Sequence, residues 1–215
     1  MKNIQGFIFD MDGVIIDNHK SHFKAWMEFA KKYNFDLDDK IYREKFNGKT
    51  NRDLFTMIFG ELSENEILSY AMEKELRYQD IYRSEMKPHH GLVEFLKYLH
   101  KIGGRIALGT SAPTMNVAFT LDSLGLRDYF HVIVDGTQVS QGKPHPEVYL
   151  KCLSLLGLYG ENCVVFEDSL AGLDAGRSAG CHIIGVATSH SLEELNSRTS
   201  FLIKDFTEAR ELMSI

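Results

Sequence analysis

The 215-residue chain is 44% hydrophobic and carries 24 Lys and Arg against 30 Asp and Glu, a net charge of −6, which suffices for one large domain or a core domain with an insert. Its cations are scattered, which argues against a nucleic-acid partner, and no stretch approaches the roughly 20 apolar residues of a membrane span. Cys152, Cys163 and Cys181 lack CxxC spacing and support neither a disulfide framework nor a zinc site, so a cytoplasmic monomer with reduced thiols is expected.

The first apolar run, Ile4 to Phe9, reads as a buried strand that releases Asp10-Met-Asp12-Gly13. Two unpaired carboxylates at a strand end cannot be core residues, because burying them costs too much. From Asp17 to about Lys87 the pattern is helical: Phe23, Trp26, Met27, Phe29 and Ala30 form one apolar stripe, and Ile67, Tyr70, Ala71 and Lys74 continue in that style. Pro88 and Gly91 punctuate the return. Further strands are expected at Arg105 to Leu108, Val132 to Val134, Cys163 to Phe166, Ile183 to Val186 and Phe201 to Ile203. Helices are expected at Leu92 to Lys101, Met115 to Leu124, Pro146 to Leu156, Leu170 to Ala179 and Leu192 to Leu195. Such alternation implies an α/β fold with a mostly parallel sheet covered on both faces, formed by residues 1–16 and 88–215 and carrying an all-helical insert over residues 17–87.

In an open parallel sheet, ligands bind beyond the carboxyl ends of the strands. The residues just past those ends are Asp10 and Asp12, then Thr110 and Ser111, then Lys143-Pro144 after the third strand and its loop, then Glu167 and Asp168. Together they suit phosphoryl transfer to a carboxylate. Asp10 would attack phosphorus and form an aspartyl phosphate. Mg²⁺, a hard cation with oxygen ligands, would bridge Asp10, Asp168 and a carbonyl near Asp12. Thr110, Ser111 and Lys143 would hold the other phosphate oxygens, and Asp12 would give a proton to the leaving oxygen and take one from the incoming nucleophile.

Asp10-Met-Asp12-Gly-Val-Ile, the Thr110 site, Lys143-Pro144 and Glu167-Asp168-Ser169-Leu-Ala-Gly172 resemble, in order, the four signature motifs of the haloacid dehalogenase superfamily. The resemblance implies a Rossmann-like core, a helical cap that selects substrate, Mg²⁺ held by Asp10, Asp12 through its carbonyl, and Asp168, with Glu167 as ligand or one step behind, and a cis Lys143-Pro144 bond. The segment Asp17 to Trp26 is similar to the start of the cap in the β-phosphoglucomutase group, where a histidine at the place of His22 positions the second aspartate. Two departures follow. Counting from Gly48, Asn51 stands where that group has a phosphate-gripping arginine, with Arg52 one residue late, whereas Lys74 matches a cap lysine that faces substrate. Thr188 to Leu195 looks more like the sugar phosphatases of the same branch.

The expectation is therefore an Mg²⁺-dependent phosphatase acting on a small phosphorylated metabolite, a sugar phosphate, with His22, Asn51, Arg52 and Lys74 setting specificity. The alternative is a β-phosphoglucomutase interconverting β-glucose 1-phosphate and glucose 6-phosphate. A phosphate-accepting receiver domain also gathers acids, a hydroxyl and a lysine at strand ends, but it would be much shorter and lack the insert.

Overall fold

The structure, a computed structural model, describes residues 3–199 and 201–213; residues 1, 2, 200, 214 and 215 of the expected core segments lie outside the described residues. Six parallel strands, β1 (Gly6–Phe9), β2 (Arg105–Gly109), β3 (Val132–Val134), β4 (Cys163–Glu167), β5 (His182–Val186) and β6 (Leu202–Ile203), lie in the order β3-β2-β1-β4-β5-β6. Each apolar run expected to be a strand is one. Ile4 falls outside because the β1 ladder begins at Gly6, opposite Arg105 and Cys163, and Phe201 stays 40% exposed ahead of β6.

Side chains alternate across each strand, and both faces are covered, so the runs are apolar throughout. Phe7, Phe9, Leu108 and Phe166 join one cluster with Leu96 and Leu99 of α5 (Leu92–Lys101), Val117 and Leu121 of α6 (Thr114–Leu124) and Phe206 of α10 (Phe206–Met213). Phe9 stacks on Phe166 at 4.6 Å. Ile8, Ala107 and Val165 face the other way, onto α7 (Glu147–Leu156) and α8 (Leu170–Ser178). Helix α10 was not expected from the sequence; its Phe206 packs deep against Phe9 and Phe95. The short α9 (Leu192–Asn196) starts in a capping box between Ser191 and Glu194.

The segment between β1 and α5 is helical: α1 (His19–Tyr33), α2 (Asp39–Ile41) running into a π-helical turn Tyr42–Phe46, α3 (Asn51–Phe59) and α4 (Glu64–Tyr82). Thr50 caps α3 by accepting from the Asp53 amide, and Ser63 with Glu66 forms a capping box for α4. Trp26, Phe29, Phe46, Phe55 and Ile67 build its own core, and full burial of such side chains stabilises by about 1.5–3 kcal/mol each. Met27, expected in the buried stripe, is 40% exposed, because it lies one helical step beyond the arc spanned by Trp26, Phe29 and Ala30. Tyr78 and Tyr82, near the end of α4, join the cluster beneath the sheet instead, so the insert is welded to the core at that end. Among the described residues no helix is long and apolar enough to cross a membrane.

Candidate active site

The strand order reverses direction around β1, which places its carboxyl end beside that of β4 at the switch point where open α/β sheets bind ligands. Phe9 pairs with Phe166 and with Leu108, so Asp10 emerges beside Glu167 on one side and Gly109-Thr110 on the other. The Asp10 amide donates to the Phe166 carbonyl at 3.0 Å, fixing that register past the strand. The chain then turns at Gly13, whose φ of 80° is left-handed, and a Cβ there would collide with the Asp168 carboxylate.

Lys143 reaches this junction from the loop before α7, across a cis peptide bond to Pro144. Its ammonium is 1% exposed and donates to Asp10 Oδ1 at 2.9 Å and to Glu167 Oε1 at 2.5 Å. Glu167 is saturated: Oε1 also accepts from the Tyr149 hydroxyl at 2.9 Å, and Oε2 accepts from the amides of Asp168 and Ser169, each at 2.9 Å, and from Ser169 Oγ at 3.0 Å. Asp168 Oδ2 accepts from Ser189 and, at 3.3 Å, from Thr188. One oxygen of Asp10 and one of Asp168 thus make no such bond.

Asp10, Glu167 and Asp168 offer carboxylate oxygens within 4.8 Å of one another, all buried. Burial pushes Asp10 up to about 7, with Glu167 and Asp12 adding to it against the pull of Lys143. Burial, then Glu167 and Asp10, hold Asp168 well above the usual carboxylate range. Burial works against the charge on Lys143, yet Asp10 and Glu167 outweigh it and raise the ammonium. Three acids facing one ammonium lack two positive charges, which a divalent cation supplies. The unbonded oxygens of Asp10 and Asp168 are hard donors of the type Mg²⁺ takes, so these residues fit that ion.

Asp12 stands apart from this cluster and is half-buried. Asn18 Nδ2 donates to its Oδ1 at 2.6 Å, and His22 Nε2 lies 3.6 Å from its Oδ2. Burial opposes its charge, but His22, Asn18 and Lys74 together hold it below the ordinary value. His22 stacks on Tyr78 at 3.7 Å, and its Nδ1 is 3.1 Å from Lys74 Nζ. Lys74 is 3% exposed and continues the line to Glu75 at 2.9 Å.

The remaining expected residues divide. Thr110 is buried at the end of β2, and its Oγ1 accepts from the Ala112 amide, which leaves its hydroxyl hydrogen free. Ser111 lines the cavity, but its hydroxyl donates to the Gly48 carbonyl at 2.8 Å and so ties the insert down. Asn51 lines the cavity and donates to Glu75. Arg52 does not line the cavity: on the exposed face of α3 it pairs with Glu64 at 2.7 and 2.5 Å, because one residue along a helix turns a side chain by about 100°. Sequence reasoning missed Asn18, Lys49, Glu75, Asn116 and Ser189, all of which line the cavity. Of these only Ser189 carried a signal, as a polar residue just past the end of β5.

The chain matches the model of the haloacid dehalogenase-like hydrolases over residues 7–186. It is 33% identical over 193 residues to a phosphorylated carbohydrates phosphatase of Thermotoga maritima, covering 89% of this chain and 88% of that one. It is likewise 33% identical over 184 residues to a fructose-1-phosphate phosphatase of Escherichia coli, with 84% and 95% covered. Among solved structures, a β-phosphoglucomutase of Clostridium difficile has a TM-score of 0.82 at 28% identity, over 95% of this chain and 92% of that one. With the match spanning most of the sheet and the whole insert, the chain belongs to the haloacid dehalogenase-like hydrolase family, as an enzyme of its sugar phosphatase and β-phosphoglucomutase kind.

Proposed function

We propose that the chain is a cytoplasmic, Mg²⁺-dependent phosphatase of a sugar phosphate, working through an aspartyl phosphate on Asp10. The observation that carries this reading is the buried trio of Asp10, Glu167 and Asp168 clamped by Lys143 at the β1/β4 switch point, open to a cavity that Asp12 also lines. Asp10, Asp168 and the Asp12 carbonyl would hold Mg²⁺, which when bound would supply positive charge to offset that of the transferring phosphoryl group. Glu167, with both oxygens saturated, orients Lys143 rather than ligating.

An Asp10 carboxylate oxygen attacks phosphorus, and the bond from phosphorus to the ester oxygen breaks. Asp12 gives its proton to that oxygen. Although His22 and Asn18 hold Asp12 ionised in the free enzyme, a phosphate dianion arriving between the two aspartates raises its proton affinity. In the second step Asp12 takes a proton from water, the resulting oxygen attacks phosphorus, and the bond to Asp10 breaks. Thr110 and Lys143 hold phosphate oxygens throughout, and the Gly48 to Ser111 bond keeps the insert closed over the reaction.

A panel of sugar and nucleotide monophosphates tests the reading. Asp10→Asn is expected to abolish phosphate release, and EDTA to suppress it; turnover that survives both removes the mechanism. Supplying β-glucose 1-phosphate with a trace of the bisphosphate separates hydrolysis from isomerisation. Glucose 6-phosphate formed well above the rate of phosphate release overturns the phosphatase reading in favour of the mutase.

A further inference from the structure

The wall of the cavity where α4 meets α6 carries a carboxylate for which the reaction has no use. Glu75 is 1% exposed and lines the cavity. Its Oε1 accepts from Lys74 Nζ at 2.9 Å and Asn51 Nδ2 at 2.8 Å, and its Oε2 from Asn116 Nδ2 at 2.7 Å. Asn116 is itself held by Gln79 at 3.0 Å. Burial opposes the charge, yet Lys74, His22 and Asn51 hold the carboxyl below its ordinary value. A buried carboxylate is a costly way to fill a helix contact. An ionised carboxylate has about four acceptor directions. Three are taken here, which leaves one on Oε2 for whatever occupies the cavity.

The cations nearby are committed elsewhere. Lys74 is shared between Glu75 and His22. Lys49 also lines the cavity, but its ammonium donates to the Lys143 carbonyl at 3.2 Å, and Arg52 is outside with Glu64. This end of the cavity therefore presents an acceptor and two amides, with no net positive charge to meet a second phosphate.

We infer that Glu75, fixed by Asn51 and Asn116, is a specificity-determining residue that accepts a hydrogen bond from a hydroxyl on the uncharged tail of the substrate. The substrate class is then the monophosphate esters of neutral sugars and polyols, and esters with a second anionic group at that end are rejected. The inference rests on the phosphatase reading above. A carboxylate accepts but cannot donate, so it rewards a hydroxyl and repels a phosphate at the same point.

The test uses the Mg²⁺-loaded enzyme with fructose 6-phosphate, fructose 1,6-bisphosphate and the tailless ester acetyl phosphate. Wild type is expected to show kcat/KM at least about tenfold higher for fructose 6-phosphate than for the bisphosphate. Glu75→Gln is expected to narrow that ratio about tenfold, with the monophosphate losing mainly in KM. If Glu75→Gln does not fold, Asn51→Arg, which sets a cation beside the carboxylate, is expected to move the ratio the same way. Acetyl phosphate separates the two levels of failure. If wild type releases no phosphate from any of the three, the phosphatase reading falls and this inference with it. Hydrolysis of acetyl phosphate alongside a wild-type ratio near or below one, or a ratio that neither variant moves, overturns the role of Glu75 alone.

Discussion

Gly172 occupies a point where no side chain fits, since a Cβ there would overlap the carboxylate of Glu167. Glu167 cannot yield, because Lys143, Tyr149, Ser169 and two amides all bond to it. Gly172→Ala is therefore expected to displace the group that aims Lys143. A drop of at least about tenfold in kcat and a loss of about 1–3 kcal/mol in urea unfolding are expected from breaking such buried bonds. Full activity at wild-type stability would show that Glu167 is free to move. At this scale the sequence was readable wherever a polar residue directly followed an apolar run, as with Asp10, Thr110 and Asp168. Lys143 was readable only through its place in the ordered set. Glu75 and Asn116 were not readable: each sits inside an amphipathic helix, and their bond joins the insert to α6, across 41 residues of chain. Arg52 falls outside the cavity that Asn51 lines, because adjacent helical residues cannot share a target.

Lys143 sits on a loop, and the loop is held by the first turn of α7. Glu147 accepts from the Ser140 hydroxyl at 2.7 Å, the Ser140 amide at 3.1 Å and the Gln141 amide at 2.9 Å. Those bonds, with Ser140 foremost, pull its carboxyl down to about 2 from an ordinary 4.5. A depressed carboxyl adds stability that is complete above its unfolded value and disappears as pH falls through its folded one. Glu147→Gln is accordingly expected to lower the urea midpoint at neutral pH. The gap to wild type should close as pH falls from 4.5 toward 2. A gap that stays constant over that window would assign the stabilisation to shape rather than charge. The strands and the helices that cover them were legible because burial on both faces leaves long apolar runs. α10 was less so, since among its described side chains only Phe206 and Ala209 are buried. The π-helical turn Tyr42–Phe46 has no periodic signature of its own.

Across the whole molecule, the insert is closed on the core by contacts at separate points: Gly48 to Ser111, Lys49 to the Lys143 carbonyl, and Gln79 to Asn116. The parallel topology and the helical nature of the insert followed from the rhythm of the chain, but its closure depends on side chains too far apart in sequence to be paired by pattern. Closure buries the acidic site, and this couples metal, pH and global stability. Asp10 is raised from 3.8 to about 7 chiefly by burial, and Asp168 is held well above the usual carboxylate range for the same reason. A raised carboxyl contributes stability below its unfolded value and loses it as pH climbs through the folded one. The metal-free enzyme is thus expected to weaken steadily from about pH 4 to pH 7 and beyond. A divalent cation held by the ionised acids would reverse that loss, so the rise in Tm on adding Mg²⁺ should be small near pH 5 and large near pH 8. At about a hundredfold excess over Kd the gain is on the order of 2.7 kcal/mol, which corresponds to roughly 5–10 °C for a chain of this size. Thermal unfolding in EDTA and in Mg²⁺ across that range measures it. Asp168→Asn should remove the Mg²⁺ increment and, by deleting one of the crowded charges, raise the Tm in EDTA at pH 8. An increment that ignores pH, or that survives in Asp168→Asn, would mean that the cation binds somewhere other than these acids.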